Sequence, residues 1–262
     1  MTYNTCLYDG SLEGLLTVAA VVLNSGSLPD EIVPESLWQS ALFSSPVRIA
    51  TDPSQADSLM DELRSYSSQC AKNICYCGLA EMSGCERDLV RYIILARSLG
   101  KRIDRYHADP SVNAVHTLAR KVGGEIHRLS GLVRFRELKD GTLWAPIEPD
   151  YNIVVPLSRH FVRRLPRIWW VLYDMNRDSG VIWNTSQLLP VVMDSSVAAR
   201  VRASGADCRD FLSDAEYSCQ SLWRQYFDSI SIDNRKNTSL QRSFMPQRYW
   251  KYLVEKPGPR IA

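Results

Sequence analysis

Residues 133–147 have the sequence VRFRELKDGTLWAPI, in which the hydrophobic pattern changes from a helical period to an alternating one. Val133 and Phe135 alternate with Arg134 and Arg136. The pair Asp140-Gly141 is typical of a tight turn between antiparallel strands. After that turn the inward positions are Leu143, Ala145 and Ile147. The stretch therefore predicts a β-hairpin.

The segments that follow extend this hairpin into a sheet. A helix is predicted around Ile153, Leu157 and Phe161. A second hairpin is predicted from the apolar run 168–173, a turn at 176–180 and the apolar residues 181–183. The order hairpin, helix, hairpin predicts an α+β fold with a central antiparallel sheet and helices packed on one face.

Both ends of the chain are predicted to be helical. Caps and stops punctuate the N-terminal half, such as Asp52-Pro53 at a helix start and Gly123-Gly124 at a helix end. Short strands fit residues 7–8 and 47–49. Near the C-terminus, residues 213–230 predict a helix whose inner face consists of Cys219, Leu222, Trp223, Tyr226, Phe227 and Ile230.

The domain prediction follows from these patterns. We expect a mostly helical part over 1–124 and an antiparallel sheet with helices over 125–256, joined in one continuous globular unit. Residues 185–210 show little periodicity and suggest a loop or an insertion. Residues 257–262 are predicted to be a tail.

Composition narrows the class of protein. The chain has 262 residues, of which 45% are hydrophobic and 23% charged, as in ordinary globular proteins. No run approaches the roughly 18 uncharged apolar residues of a membrane span, and the start does not resemble a signal peptide. We therefore expect a cytoplasmic protein without a membrane partner.

The seven cysteines do not predict a disulfide framework, because their number is odd and their spacing irregular. Four of them lie close together, at Cys70, Cys75, Cys77 and Cys85. Zinc and iron–sulfur sites usually use regularly spaced pairs, so buried thiols are the expected state and neither a metal nor a cofactor is predicted.

Charge is unevenly distributed although the net charge is only +2. Residues 1–65 contain nine acids against two arginines, whereas residues 97–136 contain nine bases against three acids. Arginine outnumbers lysine by 24 to 7, and its planar fork suits phosphate and base-edge contacts. The pattern favours nucleic-acid binding, although a GC-rich genome and a solvated surface would also produce it.

Three residues are candidate acids or bases. Asp174 ends an apolar strand, where a carboxylate could reach a cleft; capping the next turn is its other possible role. His160 lies on the central helix and could contact phosphate or transfer protons, or could be a surface residue. Glu125 precedes His127 by two positions and could act with it, or both could lie on a solvated edge strand.

Basic residues near aromatics are candidate nucleic-acid contacts, because phosphates pair with cations and bases stack on rings. The set is Arg134, Arg136, Arg164, Arg177, Arg235, Lys236, Arg242 and Arg248. Arg159, Arg163 and Arg167 surround Arg164. We expect Arg164, Arg177 and Arg248 to converge on one cleft; alternatively, Arg164 or Arg177 pairs with a carboxylate such as Asp174.

The sequence lacks a phosphate-binding glycine loop, a dinucleotide fingerprint, a metalloprotease helix motif and a nucleophile elbow. It does carry three groups of residues in a distinctive order. The first runs from Tyr8-Asp9-Gly10-Ser11 to Leu16. The second combines Gly123–Arg128, His160-Phe161, Arg164, Tyr173-Asp174 and Arg177. The third runs from Trp223 through Tyr226-Phe227 and Arg248-Tyr249-Trp250 to Glu255.

In these residues the chain resembles a bacterial family labelled DNA metabolism proteins, over nearly its full length. The resemblance implies a companion of a radical SAM protein assigned to DNA modification or repair, and similar domains are joined to uracil-DNA-glycosylase-like domains. It implies no catalytic residues. Three functions remain open: a DNA-binding partner of a radical SAM enzyme, an enzyme acting on a nucleobase or phosphodiester, and a module that binds only protein.

Overall fold

The computed structural model describes residues 5–39, 45–81, 83–204, 211–230, 232 and 237–256. Within the chain, two units are distinguished, Met1–Gly123 (unit 1) and Gly124–Ala262 (unit 2). The tail predicted at 257–262 lies outside the described residues.

Unit 1 combines a small parallel sheet with helices. Its strands are β1 (Thr5–Tyr8), β2 (Glu31–Pro34) and β3 (Val47–Arg48), in the order β2-β1-β3. The helices are α1 (Leu12–Ser25), α2 (Pro53–Tyr66), α3 (Ser68–Gly78), α4 (Glu86–Leu99) and the first part of α5 (Pro110–Leu132), with 3-10 helices at Glu35–Leu37 and Gly100–Arg105. Residues 124–132 of α5 belong to unit 2. The strands expected at 7–8 and 47–49 are thus present.

Side-chain caps explain where α1 and α2 begin. The Ser11 hydroxyl accepts a hydrogen bond from the Gly14 N–H at 2.9 Å. The Asp52 carboxylate accepts bonds from the N–H groups of Ser54 and Gln55, and Pro53 occupies the first helical position. These bonds satisfy backbone donors that have no partner inside a helix.

The predicted helix end at Gly123-Gly124 is wrong, because α5 continues to Leu132. Gly123 permits close packing instead, since a Cβ there would lie 2.9 Å from the Tyr76 ring. Glu125 and His127 therefore lie on a helix and not on an edge strand.

Unit 2 is built around a five-stranded sheet in the order β4-β5-β6-β7-β8. Its strands are β4 (Arg136–Glu137), β5 (Leu143–Ile147), β6 (Trp170–Asp174), β7 (Ser179–Trp183) and β8 (Leu188–Val191). The helices are α6 (Val154–Arg164), α7 (Ser195–Ser204), α8 (Asp214–Ser229) and α9 (Thr238–Phe244), followed by a 3-10 helix at Gln247–Tyr252.

The α+β class is confirmed, and so are both hairpins, β4–β5 and β6–β7. The expectation of a wholly antiparallel sheet is wrong, because β5 and β6 are parallel. A parallel pair needs a long crossover connection, and α6 supplies it. Residues 185–210 are also more regular than expected, since β8 and α7 lie within them.

The predicted inner face of α8 is wrong in most of its residues. Leu222 is 66% exposed, and Cys219, Trp223, Tyr226 and Ile230 are exposed too. Polar side chains face inward instead: Gln220 is buried, and Glu216 accepts a bond from the Glu137 N–H. Arg224 donates to the Val254 carbonyl. Hydrogen bonds to the backbone, which periodicity does not reveal, thus fix the orientation of this helix.

Candidate functional site

Four exposed arginines lie on α6 and just beyond its C-terminal end, at Arg159, Arg163, Arg164 and Arg167. We call them the α6 arginine cluster. Within the described ranges, none of the four forms an ion pair or a side-chain hydrogen bond. Leu157 and Phe161 on the opposite face are buried, so the period of the helix directs the arginines outward.

An exposed tryptophan lies next to this cluster. Trp169 is 50% exposed, whereas the following residue, Trp170, is fully buried at the start of β6. The indole N–H of Trp170 donates to the Leu165 carbonyl, and that of Trp183 donates to the Pro166 carbonyl at 3.1 Å. Two buried tryptophans therefore fix the turn that carries Arg167 and Trp169.

His160 lies on α6 between arginines but is only partly exposed. Its ring stands edge-on to Phe161, with centroids 5.0 Å apart. Its Nε2 atom is buried and has no hydrogen-bond partner among the described residues. The structure thus places His160 against the buried stripe of α6.

Asp174 and Arg177 form an ion pair, with 2.9 Å between Arg177 Nη1 and Asp174 Oδ2. Asp174 is completely buried and also accepts bonds from the N–H groups of Asn176 and Arg177. Burial raises the pKa of Asp174 above its usual value, although these bonds and the Arg177 guanidinium act to lower it. Asp174 therefore holds the turn between β6 and β7.

Glu125 is fully buried on α5. It accepts hydrogen bonds from the Tyr249 hydroxyl at 2.6 Å and from the N–H groups of Asp150 and Tyr151, both at 3.0 Å. Burial, followed by the bond to Glu125, raises the pKa of Tyr249 to about 12. Glu125 thus ties the loop before α6 to the 3-10 helix at Gln247–Tyr252.

Arg177 and Arg248 meet at Asp150. Arg177 Nη2 donates to the Asp150 carbonyl, and Arg248 Nη2 lies 3.0 Å from the Asp150 carboxylate and 3.9 Å from Glu125. We call these residues, with Asp174, the Asp150 network. Arg177 thus pairs with Asp174, which is the alternative to a shared anion-binding cleft, and it meets Arg248 at Asp150. Arg164 pairs with no carboxylate among the described residues.

The remaining arginines differ in their surroundings. Arg134 pairs with Glu255 at 2.6 Å; burial raises the pKa of Glu255, but the bond from Arg134 helps bring it below its usual value. Arg136 is fully buried and donates to the Tyr252 carbonyl at 2.7 Å. Arg242 is exposed on α9. Arg235 and Lys236 lie outside the described residues.

Two classes of feature are absent from the described part of the chain. No group of three or more His, Cys, Asp or Glu side chains is arranged there to hold a metal ion. No helix in those ranges has the length and apolar character that a membrane crossing needs.

Burial raises the pKa of the Cys77 thiol to about 12 and that of Cys70 to about 11.

Sequence reasoning missed the exposure of Trp169. The pair Trp169-Trp170 enters a strand, where successive side chains point to opposite faces, so one ring had to face outward. This alternation is the sequence signal that could have predicted the exposure of Trp169.

The profile of one family, described as a domain of unknown function and designated DUF4130, matches residues 83–255, which is more than half of the chain. No curated protein and no solved structure matches the chain.

Proposed function

This chain belongs to the DUF4130 family, and we propose that it is a DNA-metabolism protein that binds nucleic acid and acts with a radical SAM enzyme. The observation that supports the binding best is the α6 arginine cluster, whose four cations have no protein partner among the described residues. Such cations are available to neutralise phosphates, and binding then releases condensed counterions.

Three other arginines of unit 2 differ from the α6 arginine cluster because they are ion-paired. Arg134, Arg177 and Arg248 each have a carboxylate partner, which a phosphate would have to displace. The helix dipole accounts for arginines only in the last turn of α6. Arg159 precedes that turn and Arg167 follows the helix, so the dipole does not explain the whole cluster.

Trp169 adds a surface on which bases could stack. Aromatic side chains beside basic ones are typical of single-strand binding, and stacking contributes about 1–3 kcal/mol per base. The exposed indole beside Arg167 therefore favours a single-stranded or unstacked segment of DNA as the ligand.

The proposal that the protein acts with a radical SAM enzyme comes from the family resemblance. The exposed apolar stripe on α8 supports it. Contiguous apolar surface of this kind often marks a protein interface. Changing Leu222 and Tyr226 to aspartate is expected to abolish co-purification with the radical SAM companion while leaving DNA binding intact. Unimpaired co-purification of this double variant would remove α8 from the proposal.

The binding is tested by fluorescence anisotropy with labelled single-stranded and duplex oligonucleotides between about 50 and 200 mM salt. The test variant changes the four arginines of the cluster to glutamine. The matched control changes Arg48, Arg64, Lys72 and Arg87 to glutamine, which alters the net charge equally but in exposed residues of unit 1 outside the basic segment 97–136.

The cluster variant should lose most of its affinity, and the slope of log K against log salt should fall by about three to four. The control variant should retain most of the affinity and most of the salt slope. Equal losses in the two variants would mean that only net charge matters, and an unchanged cluster variant would refute the proposed interface.

An enzyme acting on a nucleobase or phosphodiester is the second candidate. It is favoured by the Asp150 network, in which Arg248 pairs with the Asp150 carboxylate while Arg177 and Glu125 bond to the backbone of Asp150. The lead proposal predicts no turnover of normal or uracil-containing oligonucleotides by the purified chain alone. Turnover that disappears when Glu125 is changed to glutamine would establish the enzyme instead.

A further inference from the structure

Unit 1 contains a cavity of about 340 Å³ at the carboxyl ends of β1 and β2. Tyr8 and Pro34 end these strands, and Leu12, Leu15 and Leu89 form apolar walls from α1 and α4. Ligands of open parallel sheets commonly bind outside the carboxyl ends of the strands. The volume lies at the lower end of the range for small-molecule sites.

The charge of the cavity restricts what it could bind. Three acids line it, at Asp9, Glu81 and Glu86, and none of the described lining residues is Lys, Arg or His. An anion such as a phosphate would meet three carboxylates and no side-chain cation there. The cavity is thus separate in chemistry from the nucleic-acid interface proposed for unit 2.

Glu86 is the most informative of these acids because it is only 5% exposed. Its Oε2 atom accepts a bond from the Gly84 N–H at 2.6 Å. Among the described residues, no cation pairs with Glu86 and no donor reaches its Oε1 atom. Oε1 is not among the buried side-chain atoms that lack a partner, so it is open to the cavity and free to accept a bond from a bound donor.

Tyr8 is a second buried polar residue of the cavity, and its side chain lacks a partner among the described residues. It lines the cavity, is 5% exposed, and its hydroxyl has no hydrogen-bond partner among the described residues. Burial, followed by the nearby Glu86, Cys85 and Asp9, raises the pKa of Tyr8, so the hydroxyl stays protonated. It is therefore available both to donate and to accept a bond.

The third polar wall is held rigidly. The Asp9 carboxylate accepts bonds from the Ser11 N–H and hydroxyl and from the Thr51 hydroxyl. A Cβ at position 14 would lie 2.2 Å from Asp9 Oδ1, so only glycine fits there. Burial raises the pKa of Asp9, but the bonds from Ser11 and Thr51 lower it to below its usual value, which keeps Asp9 ionised.

We propose that this cavity binds a small organic cation with an apolar body. The ammonium or amidinium group pairs with Glu86 and bonds to the Tyr8 hydroxyl. The apolar body packs against Leu12, Leu15 and Leu89. The proposal is independent of the nucleic-acid interface, because all of these residues belong to unit 1.

The test uses isothermal titration calorimetry on the full chain with four probes of similar size. Benzylamine and benzamidine are the cations, benzyl alcohol is the neutral analogue, and benzoate is the anion. The cations should bind about tenfold or more tightly than benzyl alcohol, as expected for a charge-assisted bond. Benzoate should show no binding.

Glu86→Gln keeps the acceptor for the Gly84 N–H but removes the charge, so the preference for cations over benzyl alcohol should disappear. Asp57→Asn is the matched control, since Asp57 is exposed and does not line the cavity. If Glu86→Gln does not fold, Tyr8→Phe serves instead and should weaken cation binding about tenfold.

Three results would overturn the proposal. The first is the absence of cation binding to the folded wild-type chain. The second is equal binding of cations and benzyl alcohol. The third is a cation preference that survives Glu86→Gln, or unweakened cation binding in Tyr8→Phe where that variant replaces it, in a chain with unchanged melting temperature.

Discussion

Replacing Arg177 with alanine should destabilise unit 2, because it leaves the Asp174 carboxylate buried without its counter-charge. Asp174 is 0% exposed at its side chain and Arg177 is 21% exposed. Removing one partner of a buried ion pair costs about 3–5 kcal/mol. Since water partly reaches Arg177, we expect a loss near the lower limit, about 3 kcal/mol.

The assay is chemical unfolding followed by tryptophan fluorescence. Six of the seven tryptophans lie in unit 2 and only Trp38 in unit 1, so the signal mainly reports unit 2. The control is Arg163→Ala, because Arg163 is exposed and unpaired among the described residues. Its free energy of unfolding should stay within about 0.5 kcal/mol of the wild type.

The pH dependence gives a second check on Arg177→Ala. Burial already raises the folded-state pKa of Asp174 above 3.8, and removing the Arg177 guanidinium raises it further. For an acid with a raised folded-state pKa, stability is present below the unfolded pKa and is lost as pH rises through the folded value. The deficit of the variant should therefore shrink as pH falls towards 3.8. A deficit below about 1 kcal/mol at neutral pH, or one that grows on acidification, would refute this reasoning.

Three further predictions concern packing and recognition. In unfolding experiments Leu222→Ala should change the free energy by no more than about 0.5 kcal/mol, whereas Leu157→Ala should cost about 2–5 kcal/mol; similar costs would place Leu222 in the core. In melting experiments Gly123→Ala should lower the melting temperature, because its Cβ would collide with the Tyr76 ring, although alanine normally favours a helix by about 1 kcal/mol; a higher melting temperature would contradict the packing role. In anisotropy titrations Trp169→Ala should weaken single-stranded DNA binding by about 1–3 kcal/mol and duplex binding much less; equal losses would exclude stacking.

Local patterns predicted much of the fold. The Asp140-Gly141 turn, the Asp52-Pro53 helix start and the alternation in both hairpins are governed by residues close in sequence, and the structure contains all of them. The parallel pairing of β5 and β6 could not be predicted in this way, because it depends on the path of α6 between them.

The errors at Gly123 and on α8 have a common cause. A glycine can end a helix or permit close packing, and only the position of Tyr76 decides between the two. The apolar stripe of α8 would normally face the core, but Glu216 and Arg224 bond to backbone groups distant in sequence and turn the stripe outward.

The candidate site was predicted only in part for the same reason. The excess of arginine in α6 is visible in the sequence, but whether each arginine has a carboxylate partner is not. Arg164 and Arg134 are alike as sequence features, yet Arg134 pairs with Glu255, 121 positions away. The cavity at Tyr8 and Glu86 was not predicted, because its lining residues come from separate segments of unit 1.

The proposed nucleic-acid interface at the α6 arginine cluster is best tested by the salt dependence of DNA affinity in Arg164→Gln and Arg134→Gln. Each variant removes one positive charge, from an unpaired arginine in the first case and from an ion-paired arginine in the second. We expect Arg164→Gln to lower the salt slope by about 0.7 with single-stranded DNA, or about 0.9 with duplex, without changing the melting temperature. We expect Arg134→Gln to lower the melting temperature and to leave the slope unchanged. A reduced slope for Arg134→Gln together with an unchanged slope for Arg164→Gln would contradict a nucleic-acid interface at the α6 arginine cluster.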